Sequence, residues 1–339
     1  MNIQKRALIT GAAGQDGLLL ARKLTAQDVK VVGLVRNRNQ ADKLVRYADA
    51  GNNLDAIDRP LNPSELKDLV ADFGPQEIYN LAATSSVASS WSSPGDTIRT
   101  NMGSLADLLD AVAKSGANSS KTRIFQASSS EMFGDTGGLP ADESTPLRPN
   151  SPYATSKAGA HGLINVYKNA FGLDIRTGIL FNHESPLRPE TFVTRKITKA
   201  VAEIKLGLRK ELQLGNINVS RDWGFAPDYV DAMVLIMESE ISTDYVVATG
   251  VLSALSSFIK VAFESVDISD WEARTQAESI QARPNDLVGF AGNAEKITKS
   301  LAWKPTKSFK QVVEIMVEED LKRLSGQELS LSWTPRNEK

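Results

Sequence analysis

The chain has 339 residues, of which 41% are hydrophobic, and carries a net charge of −2 at pH 7. This length and composition suffice to bury a full core, so we expect one large domain or two closely joined domains. The lack of cysteine excludes disulfides, thiolate metal ligands and cysteine nucleophiles. The nearly neutral charge argues against a nucleic-acid-binding protein.

The sequence also gives no support for a metal site or a membrane span. The two histidines, His161 and His183, do not form a His-Glu-x-x-His pattern, so a catalytic zinc site is not expected. No apolar stretch reaches the roughly 20 residues that cross a bilayer, and the initial Met-Asn-Ile-Gln-Lys-Arg lacks a long apolar region. We therefore expect a cytoplasmic protein without a membrane partner.

Strand and helix patterns alternate regularly along the first half of the chain. Strands are predicted at 6–10, 30–35, 77–82, 122–127 and 173–180, and helices at 15–27, 64–73, 103–114 and 152–171. Alternation at this interval is typical of βαβ units with right-handed crossovers. The predicted fold class is therefore α/β, with a Rossmann-type doubly wound parallel sheet.

The pattern becomes looser after residue 180. Helices are predicted near 191–207, 228–238, 254–266 and 308–324, with short strands at 212–214 and 245–248. Because doubly wound sheets bind dinucleotides, we interpret 1–180 as the dinucleotide-binding domain, with contributions from later segments. Residues 181–325 would form a smaller α/β substrate-binding lobe. The polar residues 326–339 are expected to be frayed.

Three glycines follow the first predicted strand, in Gly11-Ala-Ala-Gly14-Gln-Asp-Gly17. Glycines at this spacing let the backbone approach a pyrophosphate and place it at the N-terminus of the next helix. The motif is weak alone, because glycines also serve turn geometry at strand ends, but its position in the first βαβ unit favours a dinucleotide. After the second strand, Arg36 stands where an acidic residue usually binds the ribose of NAD, so NADP is favoured.

Two further strand ends fit such a cofactor. Asp58 ends a short strand and is placed to accept a hydrogen bond from the adenine amino group, although a surface aspartate is a comparable interpretation. Leu81, Ala82 and Ala83 end the strand predicted at 77–82 with small side chains. The ribose of the cofactor must pass close to the backbone at this point.

Tyr153 and Lys157 lie four residues apart on a helix that we expect Ser151 to cap, in Ser151-Pro-Tyr-Ala-Thr-Ser-Lys157. Positions i and i+4 share a helix face, so the Lys157 ammonium is expected beneath the Tyr153 ring, where it favours the phenolate. A tyrosine otherwise titrates near pH ~10 and is a poor base at neutrality. Beside a nicotinamide, such a pair takes a proton from an alcohol and so allows oxidation to a ketone.

Ser129 and Glu131 follow the strand predicted at 122–127, at the edge of the sheet where ligands bind. Ser129 is the candidate for a hydrogen bond to the reacting hydroxyl. A 4-ketosugar has an acidic C5 proton, which Glu131 could remove with loss of the C6 hydroxyl as water. Return of the hydride to C6 would complete a dehydration, although Glu131 could instead only cap a local turn.

Nine short motifs are spread along the chain, and they carry a family resemblance. They are Thr10-Gly-Ala-Ala-Gly-Gln-Asp-Gly17, Ile78-Tyr-Asn-Leu-Ala-Ala83, Gln126-Ala-Ser-Ser-Ser-Glu131, Ser151-Pro-Tyr-Ala-Thr-Ser-Lys157, Gly178-Ile-Leu-Phe-Asn-His-Glu-Ser-Pro186, Thr191-Phe-Val-Thr-Arg-Lys-Ile197, Leu214-Gly-Asn216, Arg221-Asp-Trp-Gly224 and Ala248-Thr-Gly250. Together they closely resemble the GDP-mannose 4,6-dehydratase family of the extended short-chain dehydrogenases/reductases. The resemblance reaches to about Leu324. The Tyr-Lys pair is shared by the whole class, so it does not by itself distinguish this family.

The resemblance implies NADP as cofactor, a GDP-hexose as substrate, and a homodimer or homotetramer. It implies four catalytic residues, with Ser129 in place of the usual threonine: Ser129, Glu131, Tyr153 and Lys157. It implies cofactor contacts, beyond Leu81, Ala82 and Ala83, by Gly11, Gly14, Gln15, Asp16, Gly17, Arg36, Asp58, Tyr153, Lys157, His183 and Arg188. It implies contacts to the nucleotide sugar by Asn182, Lys196 and Arg221, with Arg221 on the diphosphate.

The predicted reaction is the conversion of GDP-mannose to GDP-4-keto-6-deoxymannose. The chain departs from the family pattern at Leu187, where an arginine is usual, at Ser86, where a histidine is usual, and at Asp96, where a tyrosine contacts the cofactor. These departures leave the base, the exact sugar and the subunit number open. The alternatives are an epimerase or decarboxylase of a related nucleotide sugar, or a non-catalytic NADP-sensing protein, a class that commonly loses the tyrosine or the lysine.

Overall fold

A large parallel sheet organises the molecule. The computed structural model describes residues 4–49, 51–116, 121–277 and 289–334. Its strands are, in chain order, β1 (Arg6–Thr10), β2 (Lys30–Leu34), β3 (Leu54–Ile57), β4 (Glu77–Asn80), β5 (Arg123–Ser129), β6 (Asp174–Leu180), β7 (Asn182–Glu184), β8 (Leu212–Leu214), β9 (Ser220–Phe225), β10 (Asp244–Val247), β11 (Leu252–Ala254) and β12 (Thr275–Ala277). Within the described ranges, seven of them form one parallel sheet in the order β10-β6-β5-β4-β1-β2-β3. The predicted doubly wound sheet is thereby confirmed.

The helices of the described ranges lie on both faces of this sheet and in a smaller lobe. They are α1 (Gln15–Ala26), α2 (Arg38–Ala48), α3 (Pro63–Phe73), α4 (Val87–Ser92), α5 (Pro94–Ile98), α6 (Ser104–Ala113), α7 (Pro152–Phe171), α8 (Val193–Lys205), α9 (Ala226–Glu238), α10 (Leu255–Glu264), α11 (Glu295–Leu301) and α12 (Phe309–Leu324). One apolar core includes side chains of α1, α2 and α9, and another includes side chains of α3, α6 and α7. Across the described ranges, no helix combines the length and the apolar character that spanning a bilayer requires.

The direction of chain progression reverses at β1, which lies between β2 and β4. From this strand, the chain first extends the sheet towards β3 and then, from β4 onwards, towards the opposite edge. In open α/β sheets, ligands bind outside the carboxyl ends of the strands at such a point. The residues that follow β1, β4 and β5 are therefore the first place to look for a site.

A smaller lobe is built from segments that follow β6. Its short sheets join β7, β9 and β11, and pair β8 with β12. Helices α8, α10 and α12 enclose an apolar core that contains Trp223 and Phe258. β10 returns to the main sheet beside β6. β10 thus adds a strand from a later segment to the main sheet. The division of the chain into domains at residue 180 stays a prediction.

The C-terminal segment packs against the body of the protein. The expectation that 326–339 is frayed is wrong for the part of it that the structure describes. The Ser330 N–H donates to the Glu319 carboxylate on α12 at 2.8 Å. The Trp333 ring packs edge-on against an aromatic ring at the end of β9, with centroids 6.0 Å apart. The apolar contact of Trp333 outweighs the polar composition around it, and residues 335–339 lie outside the described ranges.

Asp222 fastens β9 to two loops at the edge of the main sheet. Its buried carboxylate accepts hydrogen bonds from the Thr249 hydroxyl and from the N–H groups of Thr249, Gly250 and Gly292. We expect Asp222→Asn to lower the free energy of unfolding by about 2–4 kcal/mol, because the new NH₂ group would face N–H donors. Urea unfolding measures this change.

The matched control is Asp231→Asn, which removes a partly exposed ion pair with Lys23. Such pairs contribute about 0–1 kcal/mol, so the control should remain within about 1 kcal/mol of the unaltered protein. A loss for Asp222→Asn that is no larger than the loss for the control would contradict the structural role of the buried carboxylate.

Candidate active site

The glycine turn after β1 lies against the end of β4. Gly11 has a φ of +67°, and a Cβ at this position would lie 2.8 Å from the backbone nitrogen of Ala82. A Cβ on Gly17 would lie 2.6 Å from the Cα of Ala12. Gly14 is the N-cap of α1 and offers no side chain to its first N–H groups. The turn therefore has no room for side chains at two of its glycines, and the helix N-terminus suits an anion.

The side chains of Gln15 and Asp16 are bonded to the segment after β6. Gln15 Nε2 donates to the His183 carbonyl at 3.1 Å, and Gln15 Oε1 accepts from the Ser185 hydroxyl at 2.8 Å. The Asp16 carboxylate lies 3.0 Å from His183 Nε2. The family resemblance implied cofactor contacts by Gln15, Asp16 and His183. In the structure, their side chains bind one another and so join the glycine turn to β7.

His183 and Asp16 alter each other's protonation. Burial lowers the pKa of His183, but the charge and hydrogen bond of Asp16 outweigh this effect and the net pKa is raised. Burial raises the pKa of Asp16, but His183 outweighs it and the net pKa is lowered. The His183 Nδ1–H donates to the Phe181 carbonyl at 2.7 Å, and the ring stacks on Tyr229 with centroids 4.5 Å apart. The imidazole is therefore held in one orientation.

Arg188 lies beside this pair. Its guanidinium lies over the Phe192 ring, 3.8 Å from the centroid, and 3.3 Å from the Glu184 carboxylate. Its positive charge contributes to lowering the pKa of Asp16 and opposes the rise in the pKa of His183. The structure thus groups Arg188 with His183.

Tyr153 and Lys157 lie near the start of α7, where Ser151 caps the helix as predicted. Burial raises the pKa of Tyr153 to about 12, against a hydrogen bond with Ser129 that lowers it. Burial lowers the pKa of Lys157 to about 8. The ammonium donates to the Ala127 carbonyl at 2.8 Å. The expected lowering of the phenol pKa by Lys157 is therefore not seen here, because burial of the phenol dominates.

Glu131 lies in a 3₁₀ turn, Ser130–Phe133, that directly follows β5. Its N–H donates to the Ser129 hydroxyl oxygen at 3.3 Å. The half-buried Glu131 lines a small pocket together with Ser130, Phe181, Asn182, Arg221, Gly289 and Phe290. Its charge adds to the effect of burial in raising the pKa of Tyr153. The structure thus brings together the predicted carboxylate, phenol and hydroxyl, and places Asn182 and Arg221 beside the carboxylate.

The sequence did not predict four of the residues that line this pocket, namely Ser130, Phe181, Gly289 and Phe290. The rings of Phe181 and Phe290 meet edge to face with centroids 5.6 Å apart. A Cβ on Gly289 would lie 2.0 Å from the Ser220 carbonyl oxygen. Apolar and small residues look like ordinary core in a sequence. The position of Phe181 next to Asn182 was the available signal.

The remaining predicted residues follow strands of the main sheet or lie on the surface of the protein. Arg36 and Asp58 follow β2 and β3, and the range 81–83 follows β4. The Arg36 side chain is exposed, and Asp58 lies 3.7 Å from the guanidinium of Arg38. Lys196 is exposed on α8 and is not one of the residues that line the pocket.

Residues 8–316 match the family model of GDP-mannose 4,6 dehydratase. This match spans all the residues that line the pocket and all the predicted catalytic residues. The chain belongs to the GDP-mannose 4,6-dehydratase family. It is therefore an enzyme of the nucleotide-sugar 4,6-dehydratase type, a hydro-lyase, as the sequence predicts.

Individual relatives agree with this membership. GDP-mannose 4,6 dehydratase 1 of Arabidopsis thaliana is 41% identical over 327 residues, which cover 94% of this chain and 90% of the relative. GDP-mannose 4,6-dehydratase of Sinorhizobium fredii is 35% identical, with 96% of this chain and 99% of the relative covered. Among solved structures, dTDP-glucose 4,6-dehydratase of Streptomyces venezuelae, with NAD and TYD bound, has a TM-score of 0.82 at 23% identity, with 95% and 99% of the two chains covered. At that identity, the likeness supports the fold.

The three departures from the family pattern have structural partners. Leu187 is buried in the main core. Ser86 caps α4 by accepting a hydrogen bond from the Ser89 N–H at 3.2 Å. Asp96 forms an exposed ion pair with Arg99. Each residue therefore has a local role that does not depend on a ligand.

The Asp16–His183 pair should be visible in the titration of the histidine. In Asp16→Asn, the NMR midpoint of His183 should fall, because the carboxylate that raises its pKa is gone. The chain has two histidines, so His161 serves as internal reference. An unchanged His183 midpoint would rule out the pairing.

The same pair gives a pH window for stability. Its contribution should be fully present between the ordinary pKa of aspartate, 3.8, and that of histidine, 6.5. It should be lost as the pH rises through the raised pKa of His183 or falls through the lowered pKa of Asp16. Unfolding of the unaltered protein and Asp16→Asn across this range measures the difference.

Proposed function

We propose that this family member converts GDP-mannose to GDP-4-keto-6-deoxymannose, with NADP as its resident cofactor. The observation that carries the proposal is the position of Glu131, whose carboxylate lines the same pocket as Asn182 and Arg221. An enzyme that only oxidised and re-reduced one carbon would not need a carboxylate at this place. An elimination next to a ketone does need one.

The turn after β1 fits a dinucleotide. Gly11 and Gly17 have no room for a Cβ, and the N-terminus of α1 offers N–H groups to a pyrophosphate. Asp58 would accept a hydrogen bond from the adenine amino group. Arg36, exposed after β2, would bind the 2′-phosphate that distinguishes NADP from NAD. The chemistry that this cofactor supplies is reversible hydride exchange with the sugar.

Tyr153, Ser129 and Lys157 would handle the proton of the C4 hydroxyl. Tyr153 takes this proton as the C4–H bond breaks, and Ser129 holds the sugar oxygen by a hydrogen bond. A phenol with a pKa of about 12 needs help to act as a base. Lys157, with a pKa of about 8, is mostly cationic at neutral pH and stabilises the phenolate as it forms.

Glu131 would act on the 4-ketosugar. The ketone makes the C5 proton acidic, and the Glu131 carboxylate accepts that proton. The C6–O bond then breaks, and the protonated carboxyl group gives its proton to the leaving hydroxyl, so that one water departs. Reduction at C6 and protonation at C5 give the 4-keto-6-deoxy product, and the proton added at C5 balances the one that Tyr153 took from the C4 hydroxyl. Because the two electrons removed at C4 return at C6, no external reductant is consumed.

Basic and amide side chains around the pocket would bind the nucleotide sugar. Arg221 and Asn182 line the pocket, and a guanidinium pairs well with a diphosphate. Lys196, exposed on α8, would contact the outer part of the nucleotide. His183 and Arg188 would border the nicotinamide.

Family membership further supports a homodimer or homotetramer and a cytoplasmic location. It gives no reason to expect a nucleic acid or a membrane as partner. Both the assembly and the location belong to the proposal, and analytical ultracentrifugation would decide the subunit number.

Arg36 should decide the preference between the two nicotinamide cofactors. We expect Arg36→Ala to weaken NADP binding about tenfold or more and to leave NAD binding nearly unchanged, because a charged hydrogen bond to a phosphate contributes about 1.5–3 kcal/mol. Calorimetric titration measures both dissociation constants. The control is Arg209→Ala, since Arg209 pairs with Glu203 at 2.9 Å and lies on another part of the chain. Equal loss for both cofactors would contradict a 2′-phosphate contact.

Glu131 should be essential to water loss. We expect Glu131→Gln to lower the formation of dehydrated product by about 100-fold or more, since general acid–base groups contribute about 10²–10⁴-fold, while the cofactor still binds. Tyr153→Phe should also stop the initial oxidation. Mass spectrometry of the nucleotide sugar distinguishes loss of water from no change and from loss of carbon dioxide.

The matched control is Glu190→Gln, which removes an ion pair with Lys199 at the surface. This variant should turn over like the unaltered enzyme. If Glu131→Gln dehydrates GDP-mannose as fast as the unaltered enzyme, Glu131 is not the base that removes the C5 proton.

A further inference from the structure

A chain of buried polar side chains crosses the carboxyl ends of β1, β4 and β5. The Thr10 hydroxyl donates to Asn80 Oδ1 at 2.6 Å. Asn80 Nδ2 donates to Gln126 Oε1 at 2.7 Å, and Gln126 Nε2 donates to the Ala127 carbonyl at 2.9 Å. Thr10, Asn80 and Gln126 are 8%, 4% and 2% exposed. In such a place, each polar group is costly to leave unpaired.

The direction of each hydrogen bond follows from its neighbour. The Thr10 hydroxyl oxygen accepts from the N–H groups of Leu81 and Ala82, at 3.2 and 3.1 Å, so its one proton goes to the oxygen of Asn80. The NH₂ group of Asn80 then faces the oxygen of Gln126. The NH₂ group of Gln126 is thereby directed at the next carbonyl along β5. A flipped amide would place like groups face to face.

This chain ends on the carbonyl that also holds Lys157. The Lys157 ammonium donates to the Ala127 carbonyl oxygen at 2.8 Å. That oxygen therefore uses both lone pairs, one for Gln126 and one for Lys157. Lys157 is itself buried, so water is a poor substitute for this partner. A change in the orientation of the carbonyl would move the ammonium.

We propose that Gln126 is a positioning residue for Lys157: its amide orients the Ala127 carbonyl, and the carbonyl holds the ammonium on the Tyr153 side of α7. The proposal rests on the proposed function for the part that Lys157 plays in turnover. Through Thr10, the same chain is tied to the backbone next to the glycine turn. The cofactor side and the base side of the site thus share one rigid set of hydrogen bonds.

The first experiment compares kcat and KM for GDP-mannose in the unaltered enzyme and in Gln126→Met, which keeps the length of the side chain but removes its amide. We expect kcat to fall about tenfold and KM to change less than about twofold, because a misplaced ammonium affects the transition state and not the bound substrate. The control is Thr177→Val. Thr177 lies opposite Gln126 in β6, and among the described residues its buried hydroxyl has no partner. The control should keep its kcat.

The second experiment needs no substrate. ¹³C NMR of protein labelled at the lysine ε-carbon reports the titration of Lys157, with a midpoint expected near 8 in the unaltered protein. In Gln126→Met the midpoint should fall by about half a pH unit, because an ammonium displaced from the Ala127 carbonyl loses the hydrogen bond that favours its charged form. Thr177→Val should leave it unchanged. A merely structural role of Gln126 would lower the melting temperature without moving this midpoint.

The outcomes are distinct. Unaltered kcat in Gln126→Met, or an unaltered Lys157 midpoint, would overturn the positioning role. If the unaltered enzyme does not convert GDP-mannose, the proposed function fails while the NMR midpoints still test the role of Gln126. Should Gln126→Met not fold, Asn80→Asp replaces it in both experiments. The new carboxylate cannot donate a hydrogen bond to Gln126, so the Gln126 amide must turn its NH₂ group away from the Ala127 carbonyl. The same fall in kcat is expected. An unaltered kcat together with an unaltered Lys157 midpoint would overturn the proposal.

Discussion

The hydrogen bonds between the glycine turn and the segment after β6 are the constraint on which the active site depends. Gln15 and Asp16 bind His183 and Ser185, which lie 167 to 170 positions later in the chain. These contacts tie the turn that fits a cofactor directly to the segment that carries Asn182 to the pocket. The Gly-Gln-Asp-Gly and Phe-Asn-His-Glu-Ser motifs therefore form one structural unit, and a change in either alters both sides of the site.

In the proposed mechanism, the steps divide between α7 and the end of β5. The N-terminal half of α7 carries the phenol and ammonium of Tyr153 and Lys157, which suit proton transfer at C4. The end of β5 and the turn after it carry Ser129 and Glu131, which suit C4 and the elimination. Burial disfavours formation of the phenolate at neutral pH, since it raises the pKa of Tyr153 to about 12. The neighbouring ammonium and hydroxyl are the groups that compensate for this effect in the proposed mechanism.

The regular elements could be predicted from the sequence because each carries a local signal. The Ser151 cap and the proline in the first turn identify α7, and short apolar runs identify the buried parallel strands. Strands such as Asn182–Glu184 are too short to show a period. The partner of Asp16, the carbonyl that holds Lys157 and the packing of Trp333 depend on residues far away in the chain. For that reason the sequence predicted which residues meet in the site more successfully than it predicted the atoms through which they form hydrogen bonds.

The most direct test of the dehydratase account follows the hydrogen at C4 of the sugar. GDP-mannose deuterated at C4 should give, with the enzyme and NADP⁺, a product lighter by one water that carries the deuterium at C6. Mass spectrometry and NMR read the mass and the position of the label. A product of unchanged mass, a loss of carbon dioxide, or deuterium that accumulates in free cofactor would contradict the account.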